Sequence, residues 1–490
     1  MTRVRSCALA LVVVAACGGD GAQQVPKEIL PQTTYEARCE TPRTGVDPAG
    51  NKYPDIKGTL LDEQLWLRSW TNETYLWYSE VPSLDPKTFD TAVDYFAKLK
   101  TSAVTASGKP KDQFHFTYET SVWDSLSSSG VEAGYGIDWA LIAASPPRKL
   151  VAALVQPNSV GAAQGFKRGT NVLSIDGVDL ANGSDIATLN AGIAPDTGAS
   201  HAFVITDPDG TNMRTVTLTA GPITLTPVQR VALTAPYDKI GYLLFTDHIA
   251  TSEAELITEI SALQQQGVTD LVLDLRYNGG GLLDIASELA YMIAGPGPTT
   301  GKVFDRVAFN DKIPVSDGDA TPFRTTAEGF SATKGQALPH LDLARLFVLT
   351  GSGTCSASEA VLNGLAGVGV QVIQIGDTTC GKPYGFYPAD NCGTTYFSIQ
   401  FQGVNNQGFG DYADGFIPGD LFPGCKVDDD FSAQLGDPAE KRLAAALAYH
   451  DTGACPAALQ SQAVRPRAIA AEAGAITAKS PGRQNAILGR

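Results

Sequence analysis

The sequence predicts a multidomain α/β chain with a helical N-terminal part, a β-rich middle and an α/β core. Three observations carry that prediction. From Leu61 to Leu99 apolar residues recur at helical spacing. From Val131 to Thr219 short β-rich runs are divided by the turn signals Asp176-Gly177 and Asp207-Pro208-Asp209-Gly210. After Gly221 strand signals alternate with helix signals, the pattern of a layered domain with parallel strand pairs. The length of 490 residues agrees, because about 150 residues make an average domain.

Composition removes several function classes. Hydrophobic residues at 43% and charged residues at 18% supply enough apolar surface for sizeable cores, so disorder throughout is excluded. The net charge of −16 repels phosphate backbones and anionic headgroups, so nucleic acid is not an expected partner. Gly and Pro are frequent but show no short period, which removes collagen and solenoid architectures.

The N-terminus reads as an export address. Arg3 and Arg5 precede the apolar run Ala8 to Ala16, which is too short to span a bilayer. Val14-Ala15-Ala16-Cys17 resembles the bacterial lipobox, in which the cysteine is lipidated and becomes the mature terminus. Residues 1–17 are then a lipoprotein signal with Cys17 as the anchor, and 18–57 a leader and linker. That places the protein in the bacterial cell envelope, exported and held to a membrane by lipid only. Of the eight cysteines, Cys39, Cys355, Cys380, Cys392, Cys425 and Cys455 then remain for disulfides in an oxidising compartment. Six allow 15 pairings, with the sequence neighbours Cys380 and Cys392 the favoured pair. No metal site is expected, since neither CxxC nor HxxxH spacing occurs.

Two helices fit the aromatic stripe of residues 58–125, with Trp66, Trp70 and Trp77 read as a packing face and a break at Pro82. In the middle, strands are expected at Lys149 to Val155, Asn171 to Ile175, Ala202 to Ile205 and Thr215 to Leu218, and a helix near Ser159 to Phe166. The core, 221–455, predicts strands at Ile240 to Phe245, Asp270 to Leu275, Ala344 to Leu349 and Val370 to Ile375. Its helices are Thr251 to Gln266, Asp284 to Ile293, Ala357 to Leu365 and Pro438 to Tyr449. Residues 456–490, Ala-rich and basic, read as a flexible tail.

Gly134-Tyr135-Gly136-Ile137, the run from Leu150 to Leu180 and the later strands resemble a PDZ domain over 131–220. The resemblance implies that Gly134, Tyr135, Gly136 and Ile137 form the loop receiving a peptide carboxylate, while the peptide adds a strand to an open sheet edge.

Two runs of the core point to chemistry. In LVLDLRYNGGGLLDIASELA, from Leu271 to Ala290, a strand ends in Gly279, Gly280 and Gly281, bare backbone that can bring N–H groups to a substrate oxygen. In FVLTGSGTCSASEAVLNGLAG, from Phe347 to Gly367, a strand delivers Ser356 at a helix start, where a nucleophile gains exposure and a positive helix end. With the following VIQIGDTTCGKPYGFYP they resemble the C-terminal (tail-specific) processing peptidases. The resemblance covers about Leu61 to His450 and implies an α/β, crotonase-like ββα catalytic core behind a helical part and a PDZ domain. Ser356 then looks like the nucleophile, Lys382 its general base, and the N–H groups of Ala357 and of Gly279 or Gly280 the oxyanion hole. As a base Lys382 has to be neutral, its pKa lowered by burial against Tyr384, Phe386 and Tyr387. Ser352 and Ser358 are rival nucleophiles, and Glu359 reads as a charge at a helix N-terminus.

The chain departs from the family pattern where Phe386 replaces an orienting Gln and where Gly367 and Val368 replace an acidic residue. Cysteines flank both catalytic candidates; either a Cys355–Cys380 bridge braces the site or a thiol competes as nucleophile, which needs a paired base, and no His is near in sequence. The activity implied is an exported serine endopeptidase acting on apolar or unfolded C-terminal segments, with the PDZ module capturing or gating substrate. Polypeptides are the expected partners, and no motif implies a cofactor. A catalytically inactive peptide-binding lipoprotein is the alternative, and an esterase or amidase the next.

Overall fold

The computed structural model describes residues 24–47, 50–314, 316, 319–457 and 485–487. The signal and Cys17 lie outside them. The α/β core is organised by a six-stranded sheet whose order runs Val228–Val231, Ile240–Phe245, Asp270–Asp274, Arg345–Thr350, Gln371–Gly376 and Gly424–Lys426. The first strand is antiparallel to its neighbour and the others are parallel. Ile240–Phe245 and Asp270–Asp274 are buried along their whole length, because helices and a second domain cover both faces. On one face Leu256, Leu289, Met292 and Val361 from the Ser252–Gln266, Leu283–Ala294 and Ala357–Gly367 helices pack on Leu243, Leu273 and Val348. On the other, Leu443 and Leu447 of the Lys441–Thr452 helix share a core with Val151 and Ala153 of the β-rich domain.

That β-rich domain is an antiparallel sheet in the order Arg214–Thr219, Ser200–Thr206, Asn171–Ile175, Lys149–Val155, Ile137–Ala143, with Ile137–Ala143 at its edge. The expected strands are present, and the helix near Ser159 is one turn, Val160–Ala163, capped by the Ser159 hydroxyl. A further helix, Ile186–Ile193, was not anticipated. Gly134 and Gly136 have positive φ, and a Cβ on Gly136 would lie 2.2 Å from Ser159 Cβ, which restricts that position to glycine.

In the N-terminal part Leu60–Thr74 is one capped helix, Thr59 and Asp62 forming the reciprocal box. The Trp66 and Trp70 rings stack at 5.4 Å and pack against Tyr396, so the aromatic stripe is a packing face. The second helix is shorter than expected, Ala92–Phe96. Thr120–Ser129 forms another helix, which crosses the expected boundary at 125.

Two expectations about the chain's ends are corrected. The 18–57 linker is fastened to the core, since Cys39 is bonded to Cys392 and Arg43 pairs with both Asp55 and Asp390 at 2.8 Å. Within the 456–490 tail, Asn485–Ile487 forms a strand parallel to Gly280–Leu282. The favoured Cys380–Cys392 pair is also overturned. The disulfides are Cys39–Cys392, Cys355–Cys380 and Cys425–Cys455, because the fold and not sequence proximity decides which Cα atoms come within reach.

Candidate active site

The C-terminal ends of three adjacent parallel strands supply the site. Asp270–Asp274 leads to the glycine run, Arg345–Thr350 to Ser356 and Gln371–Gly376 to Lys382. Ligands of open α/β sheets gather at such strand ends. Ser356 and Lys382 line one cavity with Leu283, Asp305, Tyr384 and Tyr412.

Ser356 sits on the sharp turn between strand and helix with φ 63° and ψ −114°, a conformation that L residues rarely adopt. Its Oγ is buried and has no hydrogen-bond partner among the described residues. The following helix, Ala357–Gly367, points its N-terminus at this hydroxyl's position, the end that favours developing negative charge. The rival serines are placed differently. Ser358 Oγ donates to the Asn278 carbonyl at 3.0 Å, and Ser352 is exposed.

Lys382 is 1% exposed, and burial lowers its amine to about 7 against the opposing pull of Asp112 and Glu359. Its Nζ lies over the Phe386 ring at 4.1 Å and the Phe114 ring at 5.0 Å. Phe386, where a glutamine was the family expectation, thus forms part of the amine's wall. Tyr384 lines the cavity, whereas Tyr387 packs on Phe309 and Phe401. Asp112 and Phe114 come from the N-terminal part, and nothing in the sequence spacing joins them to residue 382. Asp112 is itself fixed by Tyr75 Oη at 2.7 Å and the Phe114 N–H at 2.9 Å.

Glu359 proves to be far more than a charge at a helix end. It is fully buried, and its Oε2 accepts the N–H groups of Ser356 at 2.9 Å and Lys382 at 2.8 Å. Its Oε1 accepts the Gly381 N–H at 2.9 Å and Thr379 Oγ1 at 2.5 Å. Burial raises its pKa, and these donors partly offset that. Parallel to this clamp runs the Cys355–Cys380 disulfide, a covalent tie between the residue before Ser356 and the loop of Lys382. Cys355, Glu359 and Cys380 offer ligand atoms within 4.8 Å of one another, but the two sulfurs are bonded to each other and not available to a metal.

The glycine run is organised by Asn278. Its Oδ1 accepts the Gly280 N–H at 2.9 Å and faces His248 Nδ1 at 3.0 Å, and its Nδ2 donates to the Phe245 carbonyl. Gly280 therefore departs from its expected part as an oxyanion donor, because its N–H is spent on a side chain two residues back. Burial drives the imidazole of His248 down to about 3, so it is neutral.

Residues 239–385 match peptidase family S41, and residues 62–115 match the peptidase S41 N-terminal domain. The two matches fall in the α/β core and in the helical N-terminal part. A carboxyl-terminal-processing protease from Picosynechococcus sp. is 27% identical over 258 residues, 52% of this chain and 56% of that protein. A chloroplastic C-terminal processing peptidase from Tetradesmus obliquus is 28% identical over 232 residues, 44% of each. The chain thus spans about half the length of these curated relatives. Among solved structures, one from Bacteroides fragilis assigned to the S41 proteases has a TM-score of 0.61 at 22% identity, covering 82% of this chain and 98% of that one. The two chains share a fold. The strand–turn–helix that carries Ser356 and the loop that carries Lys382 both fall inside the S41 match.

Proposed function

We propose that the chain is an exported, lipid-anchored serine endopeptidase that cuts polypeptides near apolar or unfolded C-terminal segments through a Ser356–Lys382 dyad. The observation that supports it is the meeting in one cavity of a serine on a strained turn and a buried lysine whose amine titrates near neutral pH. Lys382 Nζ takes the Ser356 proton as Oγ attacks the scissile carbonyl, and the N–H groups of Ala357 and Gly279 hold the resulting oxyanion. The protonated lysine then gives its proton to the leaving amine. Water, deprotonated by the same amine, hydrolyses the acyl ester and restores Ser356.

The relatives' names supply the substrate class, polypeptide C-termini. The β-rich domain acts as a PDZ module that captures substrate or gates its access, with the loop Gly134 to Ile137 beside the open edge strand Ile137–Ala143. Three disulfides suit an oxidising compartment, in line with export and with Cys17 as the lipid anchor. No helix among the described residues is long and apolar enough to cross a membrane.

The test is cleavage of an unstructured polypeptide with an apolar C-terminus by the parent, Ser356→Ala and Lys382→Ala chains, followed by mass spectrometry. Both variants are expected to lose at least about a thousandfold in rate while remaining folded. Cleavage that survives Ser356→Ala would sink the assignment, and peptide binding without cleavage by the parent would favour an inactive binding lipoprotein.

A further inference from the structure

The cavity beside Ser356 holds an ionisable group that the proposed acyl transfer leaves unused. Asp305, on the Val303–Phe309 strand, is 5% exposed and lines this cavity together with Leu283, Phe401, Gly403 and Tyr412. Among the described residues no cation or hydrogen-bond donor pairs with its carboxyl, and burial alone raises it to about 7. Lys382 feels the charges of Asp112 and Glu359, and Asp305 is not among the groups that shift it. The carboxyl therefore serves neither the amine nor its own strand. A buried, unpaired carboxyl is costly, and a partner that arrives with the ligand removes that cost.

Its position is enforced from behind. A Cβ on Gly403 would lie 2.4 Å from Asp305 Oδ1, so the carboxyl rests against backbone that only glycine leaves clear. The free space inside the cavity is about 10 Å3, close to that of one water, so only the tip of a short side chain could enter it. Leu283 and Phe401 are its apolar walls, and beside Ser356, Lys382, Tyr384 and Tyr412 its one carboxyl is that of Asp305.

We propose that Asp305 is a specificity-determining residue, selecting a short side chain with a hydrogen-bond donor, Thr or Ser, next to the bond that Ser356 attacks. This rests on the serine-peptidase reading of the same site. Thr and Val have nearly the same shape, so the pair isolates the hydroxyl that would donate to Asp305.

The experiment uses the full chain and three peptides identical except for Thr, Val or Lys at the residue whose carbonyl is attacked, with kcat/KM as readout. The parent is expected to favour Thr over Val about tenfold. Asp305→Leu should reverse that order, and Asp305→Asn, which keeps an acceptor oxygen, should retain it. Gly403→Ala, which pushes the carboxyl aside, should erase the preference and serves as the second variant if Asp305→Leu does not fold. Equal rates for Thr and Val, or a Thr preference that survives Asp305→Leu, would overturn the assignment. A parent that cuts the Lys peptide fastest would overturn it in favour of a cation site. The two readings fail separately. If Ser356→Ala still cuts, or if the parent cuts none of the peptides, the peptidase reading falls and takes Asp305 with it. If Ser356→Ala is dead but the parent is indifferent, only the Asp305 assignment falls.

Discussion

The two large sheets of this molecule solve opposite problems. The core sheet is parallel but for one edge strand and buried on both faces, and the proposed catalytic residues stand at its strand ends, held by a disulfide and by the four hydrogen bonds that Glu359 accepts. The β-rich sheet is antiparallel, with alternating burial in strands such as Arg214–Thr219, and it leaves the edge strand Ile137–Ala143 open with Ile142 half exposed. One arrangement fixes atoms to each other, and the other keeps backbone groups on offer to an incoming strand. The difference teaches where rigidity is needed: around the reacting groups, and much less around the surface that would receive a flexible chain.

Four perturbations test that contrast. The largest effect is expected from Glu359→Ala, which strands three backbone N–H groups and one hydroxyl in the interior and should cost about 4 kcal/mol, read from urea unfolding of the core. Cleavage should disappear with it even under conditions where the fold survives. Replacing Cys355 and Cys380 together by Ala opens a loop with a sequence separation of 25 and should cost about 3 kcal/mol, with a loss of cleavage and no change in peptide binding. If binding fell equally, the two sheets would not be as separate as the contrast holds.

Arg168 is the main polar tie between the sheets. From the β-rich domain it donates to Tyr277 Oη and to Asp429 Oδ1, each at 2.5 Å. Asp429 retains some solvent contact, so Arg168→Leu should cost about 2 kcal/mol and split thermal unfolding into two calorimetric transitions. A single sharp transition would show that the apolar contacts of Val151 and Ala153 suffice. The smallest effect is that of pH. If Lys382 is the base, as proposed, its neutral form is the active one; its amine is held at about 7, so the rate should fall about tenfold for each pH unit below that and level off above it. A profile flat from pH 5 to 8 would remove Lys382 from the role of base.

The same contrast explains what could be read from the sequence. The core strands were legible because a strand buried on both faces is an unbroken apolar run, as in Ile240–Phe245 and Asp270–Asp274. Ser356 was singled out because it follows such a strand and Lys382 only through the resemblance to the processing peptidases, and the structure brings the two into one cavity. Strands broken by charge were not: Val303–Phe309 contains Asp305 and Arg306, so the strand that carries the proposed specificity residue left no local signal. Glu359 was seen only as a helix-end charge, since its four donors come from turns whose approach is tertiary. Asp112 and Phe114 reach Lys382 across the whole β-rich domain in sequence, and Gly280 lost its expected part to an asparagine side chain whose rotamer no sequence states.

One feature of the covalent structure bears on how the molecule would carry mechanical load. Cys39 and Cys392 are 353 residues apart and directly bonded, and Cys425 and Cys455 close a further 30. Tension applied between the two ends of the chain would pass from Cys39 straight to Cys392, and residues 40–391, with the edge strand Ile137–Ala143 and both catalytic candidates, would lie off the loaded path. Roughly 1,200 Å of contour length is hidden in that loop. A machine that pulls proteins apart from one end would stall there or have to admit several strands abreast, whereas it would thread the reduced chain as a single line.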